Sequence, residues 1–261
     1  MIVAGIDVGS KNIHVVVLKD GEVAARVAVP SGFEQEEAAR SGVVVAVAAA
    51  GVTVDDIDYM VATGAGRKAV PFAQHLVTEV AADARGAHAL MPAVRTIIDV
   101  GADEARAIRV DAGGKVIDFA ANEKCAAGAG AFVEAMSRAL EVSLTRFGEI
   151  SLQSTKSIPM NAQCTVFAES EVVSLIHSNT SQEDIAKAVH DAMAGRVSAM
   201  VRRAGLEEVV VIGGGVAYNV GFVKALEDTL GVPELHVLPD PEYLGSFGAA
   251  LIAADRAAER A

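Results

Sequence analysis

The sequence has 261 residues and a formal charge of −12 at pH 7. This length allows one large domain or two of modest size. The acidic charge argues against a nucleic-acid partner, because proteins that bind phosphate backbones present a basic surface. Alanine, valine and glycine are plentiful and tryptophan is absent, so we expect a core of small side chains packed from strands and helices.

No targeting or membrane signal is visible in the sequence. Met1 leads directly into a strand pattern that ends at Asp7. The longest uncharged apolar run, from Val43 to Val54, is shorter than the roughly 20 residues that a membrane-spanning helix needs. We therefore expect a cytoplasmic protein without a membrane partner. Cytoplasmic proteins rarely contain structural disulfides, so a bond between Cys125 and Cys164 is not expected.

The predicted elements begin with three strands and continue with alternating helices and strands. Residues 2–8 have the pattern of a buried strand, and residues 12–19 and 22–29 are predicted as its antiparallel neighbours. A hairpin turn at Lys19-Asp20-Gly21 joins the latter two. Further helices are predicted over 34–50, 72–89, 131–140, 166–176, 181–203, 220–230 and 245–258, and further strands over 58–63, 94–100, 208–212 and 235–238.

Two stretches of the sequence are alike, Gly5-Ile6-Asp7-Val8-Gly9-Ser10 and Ile97-Ile98-Asp99-Val100-Gly101-Ala102. Each is an apolar run that ends in Asp-Val-Gly and is followed by an alternating return run. Glycine lets backbone pass close to a ligand, and an adjacent carboxylate can hold Mg²⁺ near phosphate oxygens. We therefore predict an α/β protein whose two related lobes, residues 1–91 and 92–261, surround a phosphate-binding cleft.

A third candidate motif is the glycine run Gly213-Gly214-Gly215, which follows a predicted strand and opens a helix. Bare backbone at a helix N-terminus is suited to a phosphate or a nucleoside. The G-x-G-x-x-G spacing of dinucleotide-binding proteins is absent. On its own, the run is equally consistent with a tight strand-to-helix turn.

Taken in order, the three motifs resemble the phosphate-1, phosphate-2 and adenosine motifs of the acetate kinase, sugar kinase, Hsp70 and actin superfamily. The resemblance implies the actin-like ATPase (ribonuclease H-like) duplication around a nucleotide cleft, with ATP or ADP and Mg²⁺ as ligands. It implies catalytic roles for four acidic residues, Asp7, Asp99, Asp103 and Glu104. It implies nucleotide contacts from Gly9, Ser10, Lys11, Gly101, Ala102, Gly213, Gly214, Gly215, Val216 and Asn219.

Two cysteine segments, residues 125–130 and 164–171, narrow the resemblance to the BcrAD/BadFG-type ATPases. This family contains ATPase subunits of benzoyl-CoA reductases and activators of 2-hydroxyacyl-CoA dehydratases. The resemblance implies that Cys125 and Cys164 are metal ligands, and that two subunits share one [4Fe–4S] cluster. Both cysteines precede predicted helices, where free N–H groups and the helix dipole stabilise thiolates. Two buried structural cysteines are the alternative.

The phosphate-2 turn departs from the activators, which usually carry Gly-Gly-Gln-Asp where this chain has Gly101-Ala102-Asp103-Glu104. This turn is more similar to the smaller ATPase subunit of benzoyl-CoA reductases. The first hypothesis is therefore an ATP-dependent electron-transfer subunit of such a reductase. Its expected partners are a related ATPase subunit or a second copy, together with CoA-thioester reductase subunits. Asp103 adds negative charge near the γ-phosphate, so weak or absent ATP hydrolysis is expected of the isolated chain.

Three alternatives remain open at this point. One is a homodimeric activator of a 2-hydroxyacyl-CoA dehydratase. Another is a small-molecule kinase, such as an amino-sugar kinase, in which Asp99 would accept a proton from a substrate hydroxyl. The last is a nucleotide-binding regulatory module without catalysis.

Overall fold

A computed structural model describes residues 1–122, 129–160 and 164–260 of the chain. The strands are β1 (Ile2–Val8), β2 (Asn12–Lys19), β3 (Glu22–Pro30), β4 (Tyr59–Thr63), β5 (His75–Leu76), β6 (Thr96–Val100), β7 (Ala105–Val110), β8 (Val116–Asn122), β9 (Val210–Gly213) and β10 (His236–Val237). The α-helices are α1 (Gln35–Ala49), α2 (Glu79–Leu90), α3 (Gly130–Ala139), α4 (Leu144–Ser151), α5 (Thr165–His177), α6 (Gln182–Ala204), α7 (Val220–Leu230) and α8 (Leu244–Ala258). Within these described ranges, no helix has both the length and the apolar character needed to cross a membrane.

The strands form two five-stranded mixed sheets with the same arrangement. In the first sheet, β1 lies between antiparallel β2 and parallel β4. In the second sheet, β6 lies between antiparallel β7 and parallel β9. The outer strands are β3 and β5 in the first sheet and β8 and β10 in the second. Both Asp-Val-Gly runs therefore lie on the central strand of a sheet, and the predicted α/β fold with two related lobes is confirmed.

The chain divides into two compact units. The first unit contains residues 1–94 and 110–117 and the chain from residue 238 onward, and the second contains residues 95–109 and 118–237. The predicted lobes, residues 1–91 and 92–261, describe the sequence duplication and stay a prediction. The C-terminal segment belongs to the first unit, because α8 packs on β1 and α2.

The core of the first unit lies on both faces of its sheet. One face packs Ile6 and Val8 of β1 against Val43 of α1, and the other packs Val3 against Ala249 and other residues of α8. A strand that is buried on both faces needs an almost continuous apolar run, which β1 has. The approach of α8 is close, because a Cβ on Gly5 would overlap the backbone of Ser246 and Ala250.

The long helix α6 lies at the centre of the core of the second unit and packs against α4 and α7. Fully buried Phe132, Phe147 and Phe222 fill this core beside Ile98 of β6. A buried polar pair lies within the same region, where Asn219 Nδ2 is 3.0 Å from His190 Nε2. Since Asn219 Oδ1 accepts from the first N–H groups of α7, its amide nitrogen must donate to His190.

The helix predicted over 72–89 is wrong at its start. The structure has the short strand β5 there, and α2 begins only after Thr78. The Thr78 hydroxyl accepts from the Ala81 N–H at 3.3 Å, so this residue is the N-cap of α2. Helix α4 was not predicted, although the Ser143 hydroxyl caps it in the same way by accepting from the Arg146 N–H.

We predict that His190 makes the stability of the fold sensitive to acid. Burial lowers the pKa of His190 to about 3, so the folded protein keeps it neutral while the unfolded chain protonates it below about pH 6.5. The unfolded state therefore binds more protons between these values, and stability falls as the pH decreases through this window. His190→Gln should reduce the slope of the unfolding free energy, by about half of 1.4 kcal/mol per pH unit at pH 6.5 and by nearly the full amount at pH 4.5.

Urea unfolding at a series of pH values measures this slope. His177→Gln is the matched control, since His177 lies exposed at the end of α5. The assignment is contradicted if the His190→Gln slope equals that of the unsubstituted protein.

Candidate functional site

The first candidate turn joins β1 to β2 and directly follows Asp7 and Val8. The Gly9 N–H donates to the Asn12 carbonyl at 3.1 Å and closes the turn. Ser31, which is fully buried after β3, donates its hydroxyl to the Gly9 carbonyl at 2.7 Å and its N–H to the Lys11 carbonyl at 3.0 Å. The turn is therefore held on its inner side by the end of β3, while the predicted contact residues Ser10 and Lys11 are exposed.

Glycine backbone packs against both carboxylate oxygens of Asp7. A Cβ on Gly64 would lie 2.5 Å from Asp7 Oδ1, and a Cβ on Gly245 would lie 2.7 Å from Asp7 Oδ2. Gly64 follows β4 and has φ +92°, a conformation that residues with a side chain rarely adopt. The buried Asp83 lies beside Gly245. Larger residues at these two glycines would displace the Asp7 side chain.

The second candidate turn joins β6 to β7 and repeats the first. Val100 pairs with Ala105 and Asp99 pairs with Arg106, so Gly101–Glu104 form the turn. The N–H of the first turn residue donates to the carbonyl of the last at 2.9 Å. Within this turn Asp103 is exposed, and the other three residues are partly buried.

Arg106 bridges two of the predicted acidic residues of this turn. Its guanidinium donates to Asp99 Oδ2 at 2.6 Å and to Glu104 Oε2 at 2.5 Å. Asp99 is only 8% exposed, so its charge is held largely away from water. Charge-assisted hydrogen bonds from both prongs of one guanidinium fix geometry as well as offsetting charge.

The N-terminus of α3 is hydrogen-bonded to the same turn. The Gly130 N–H donates to the Gly101 carbonyl at 2.9 Å, and the Ala131 N–H donates to the Ala102 carbonyl at 2.8 Å. Gly130 allows this approach, because a Cβ there would lie 3.1 Å from the Gly101 carbonyl oxygen and 3.0 Å from Val216 Cγ2. Two of the N–H groups that a helix start leaves unsatisfied are thus satisfied by the turn.

The glycine run at 213–215 lies beside Asp99 at the end of β9. Gly213 pairs with Asp99, and Gly214 has φ +80°. A Cβ on Gly214 would lie 2.8 Å from Asp99 Oδ1, which is the relation that Gly64 has to Asp7. A Cβ on Gly215 would meet open space. The run continues into a short 3₁₀ turn, Gly215–Tyr218, rather than directly into the predicted helix.

Asn219 has a structural role at the start of α7. It is the N-cap of α7, where its side-chain oxygen accepts from the N–H groups of Gly221 and Phe222, each at 3.1 Å. Its amide nitrogen faces His190. Both ends of the side chain are therefore engaged, and the predicted nucleotide contact of Asn219 stays a prediction.

One of the two predicted cluster ligands, Cys164, is a free, partly buried cysteine at the N-cap of α5, with φ −148° and ψ 137°. Its carbonyl accepts the Ala168 N–H at 3.0 Å, so α5 begins directly after it. The other, Cys125, lies outside the described residues. Among the residues that the structure does describe, no three His, Cys, Asp or Glu side chains are grouped for a metal ion.

Sequence reasoning missed three residues that shape the two turns: Arg106, Gly245 and Ser31. A signal for Arg106 was present. A four-residue turn at 101–104 places residue 106 directly across from residue 99 in an antiparallel pair. Gly245 could not have been found in this way, because it reaches Asp7 through tertiary packing.

The chain is similar to known proteins over nearly its whole length. The activator of lactoyl-CoA dehydratase from Anaerotignum propionicum is 41% identical over 263 residues, covering 100% of both chains. One of the subunits of benzoyl-CoA reductase from Thauera aromatica is 31% identical over 98% of this chain and 94% of its own.

Solved structures agree with these relatives. The activator of 2-hydroxyisocaproyl-CoA dehydratase from Clostridium difficile, with bound ADPNP, superimposes with a TM-score of 0.92 at 36% identity, covering 100% of this chain and 97% of its own. The ROK hexokinase from Thermus thermophilus has a TM-score of 0.56 at 18% identity, covering 99% of this chain and 100% of its own, which is a likeness of fold alone. The actin-like ATPase duplication is thereby confirmed. Residues 4–253 match one family description, and the chain belongs to the BadF/BadG/BcrA/BcrD ATPase family.

Proposed function

We propose that this chain is an ATP-dependent activator of a 2-hydroxyacyl-CoA dehydratase, to which it delivers electrons. The observation that carries the proposal is the 41% identity to a dehydratase activator over the full length of both chains. Identity to the benzoyl-CoA reductase protein is 31%. This order favours the dehydratase activator over the reductase component, which was the first hypothesis from the altered turn at 101–104.

Family membership and the ADPNP-bound relative support ATP or ADP as the ligand. In our proposal the turns after Asp7 and Asp99 bind the phosphates. The N–H groups of Gly9 and Gly101 are used to close these turns, so phosphate contacts would come from neighbouring backbone such as that of Ser10. The open space beside Gly215 suits contact with a nucleoside.

Mg²⁺ would accompany the nucleotide. Asp7 and Asp99 each precede a turn, and glycine backbone packs against their carboxylates. Mg²⁺ usually keeps several waters and is held through one or two carboxylates and substrate phosphates. The bound ion would supply positive charge beside the acidic turn at Gly101–Glu104.

The position of Cys164 fits a ligand of a shared cluster. Cys164 lies partly exposed at the start of α5, and the positive end of a helix dipole favours an anionic group such as a metal cluster nearby. When bound, a [4Fe–4S] cluster supplies a low-potential one-electron redox centre, and it normally takes four thiolates. The chain has two cysteines, so a second copy would supply the others.

The surface beside Cys164 supports a second copy as the partner. Val166 and Phe167, in the first turn of α5, are 68% and 67% exposed. Further along the same helix, the apolar side chains of Val173 and Ile176 are also exposed. An apolar surface of this kind is typical of an interaction site.

The other hypotheses have weaker support. The hypothesis of a reductase component rests on the lower identity to the Thauera aromatica protein and on the altered turn. The sugar-kinase hypothesis has only the likeness of fold.

The choice of acceptor tests the proposal directly. The reduced protein, prepared without oxygen, is mixed with MgATP and either a 2-hydroxyacyl-CoA dehydratase or the catalytic subunits of a benzoyl-CoA reductase. Dehydration of the 2-hydroxyacyl-CoA should appear in the first mixture. Turnover in the reductase mixture alone would instead restore the hypothesis of a reductase component.

We predict that Asp7→Asn weakens binding of MgADP, because the carboxylate that organises the Mg²⁺ waters is lost. The affinity measured by calorimetry should fall by about tenfold, the factor that corresponds to about 1.4 kcal/mol. Asp228→Asn is the matched control, since Asp228 lies on the exposed face of α7 in a pair with Lys224. Equal affinities for the two variants would remove Asp7 from the nucleotide site.

We predict that Cys164→Ser abolishes the iron–sulfur cluster and leaves nucleotide binding nearly unchanged, because a serine hydroxyl is a poor replacement for a thiolate ligand. Anaerobic reconstitution, iron and sulfide analysis, and electron paramagnetic resonance of the reduced sample measure the cluster. Ser174→Ala, on the exposed side of the same helix, is the control. A full cluster signal from the Cys164→Ser protein would show that the ligands lie elsewhere.

A further inference from the structure

Carboxylates are concentrated in the proposed phosphate-2 turn and at the end of β6 just before it. Three carboxylates lie within six residues: Asp99, Asp103 and Glu104. Two of them meet at the guanidinium of Arg106, at 2.6 Å from Asp99 and 2.5 Å from Glu104. The Arg106 side chain is 12% exposed, so this pairing takes place largely out of water. Charges in such a setting interact more strongly than exposed ones do.

The two units carry different residues across the strand pair from their aspartates. The residue opposite Asp7 is His14, whereas the residue opposite Asp99 is Arg106. Burial lowers the pKa of His14 to about 4, so that side chain is neutral at pH 7. The duplicated strand pair therefore carries a permanent cation across from its aspartate in the second unit and a neutral ring in the first.

We propose that Arg106 is a positioning residue that adapts the acidic turn at Gly101–Glu104 to a polyphosphate ligand. It holds the carboxylates of Asp99 and Glu104 in fixed places and offsets part of their charge. This inference rests on the proposed nucleotide-binding function. Without the guanidinium, the charge of the segment from Asp99 to residue 106 would change from −2 to −3.

Repulsion of the ligand distinguishes this role from a purely structural one. Metal-free ADP carries more negative charge than MgADP, so uncompensated carboxylates should repel it more strongly. A loss of turn structure alone would weaken binding of MgADP at least as much as binding of metal-free ADP, because Asp99 is also proposed to organise Mg²⁺. The ratio of the two affinities is therefore the informative readout.

The test is calorimetric titration of the full chain with ADP, in Mg²⁺ and separately in chelator. Arg106→Gln should lower the affinity for MgADP by about tenfold and the affinity for metal-free ADP by about a hundredfold. Arg106→Lys should recover part of the loss for metal-free ADP, because it restores the charge without the two-pronged geometry. Arg109→Gln, on the same strand and paired with Glu207 at 2.9 Å, is the control and should stay within about twofold of the unsubstituted protein.

Glu104→Gln provides a second, independent arm if Arg106→Gln does not fold. It removes one carboxylate and leaves Arg106 with Asp99, so binding of metal-free ADP should tighten relative to MgADP. The inference is overturned if neither substitution changes the ratio of the two affinities. Failure of the unsubstituted protein to bind any nucleotide would instead refute the proposed function itself.

Discussion

Two hydrogen bonds join the start of α3 to the turn after β6, which is the proposed phosphate-binding turn of the second unit. The carbonyls of Gly101 and Ala102 accept the first N–H groups of α3, at 2.9 and 2.8 Å. The turn and the start of α3 are therefore in direct contact. In the sequence, α3 follows the segment that contains Cys125, the other proposed cluster ligand.

Glycine backbone next to a carboxylate recurs in both units. Gly64 and Gly214 each lie at the end of the parallel neighbour of a central strand, have positive φ, and pack against the aspartate of that strand. The arrangement keeps Asp7 and Asp99 in place, because glycine brings backbone directly against their carboxylates. The two units differ in the charge of the residue that pairs with this aspartate across the strands, which is His14 in the first unit and Arg106 in the second. The two turns therefore share a backbone arrangement and differ in charge.

Much of this architecture could be predicted from the sequence, because local patterns determine it. The two Asp-Val-Gly runs indicated a strand, a turn and a return strand in each lobe, and the glycine run at 213–215 indicated a turn at a strand end. The contacts that could not be predicted are tertiary. Gly245 approaches Asp7 only because α8 returns to the first unit, and Asn219 is engaged by His190 rather than by solvent. The altered turn at 101–104 favoured the reductase as acceptor, whereas similarity along the whole chain favours the dehydratase.

The nucleotide dependence of electron delivery is the sharpest test of the proposed activator. The anaerobically reduced protein is mixed with a 2-hydroxyacyl-CoA dehydratase and substrate in three parallel reactions, with MgATP, with MgADP, or without nucleotide. We expect dehydration to begin only in the reaction with MgATP, and ATP to be hydrolysed as it proceeds. Equal dehydration in all three reactions would contradict the coupling of nucleotide binding to electron delivery.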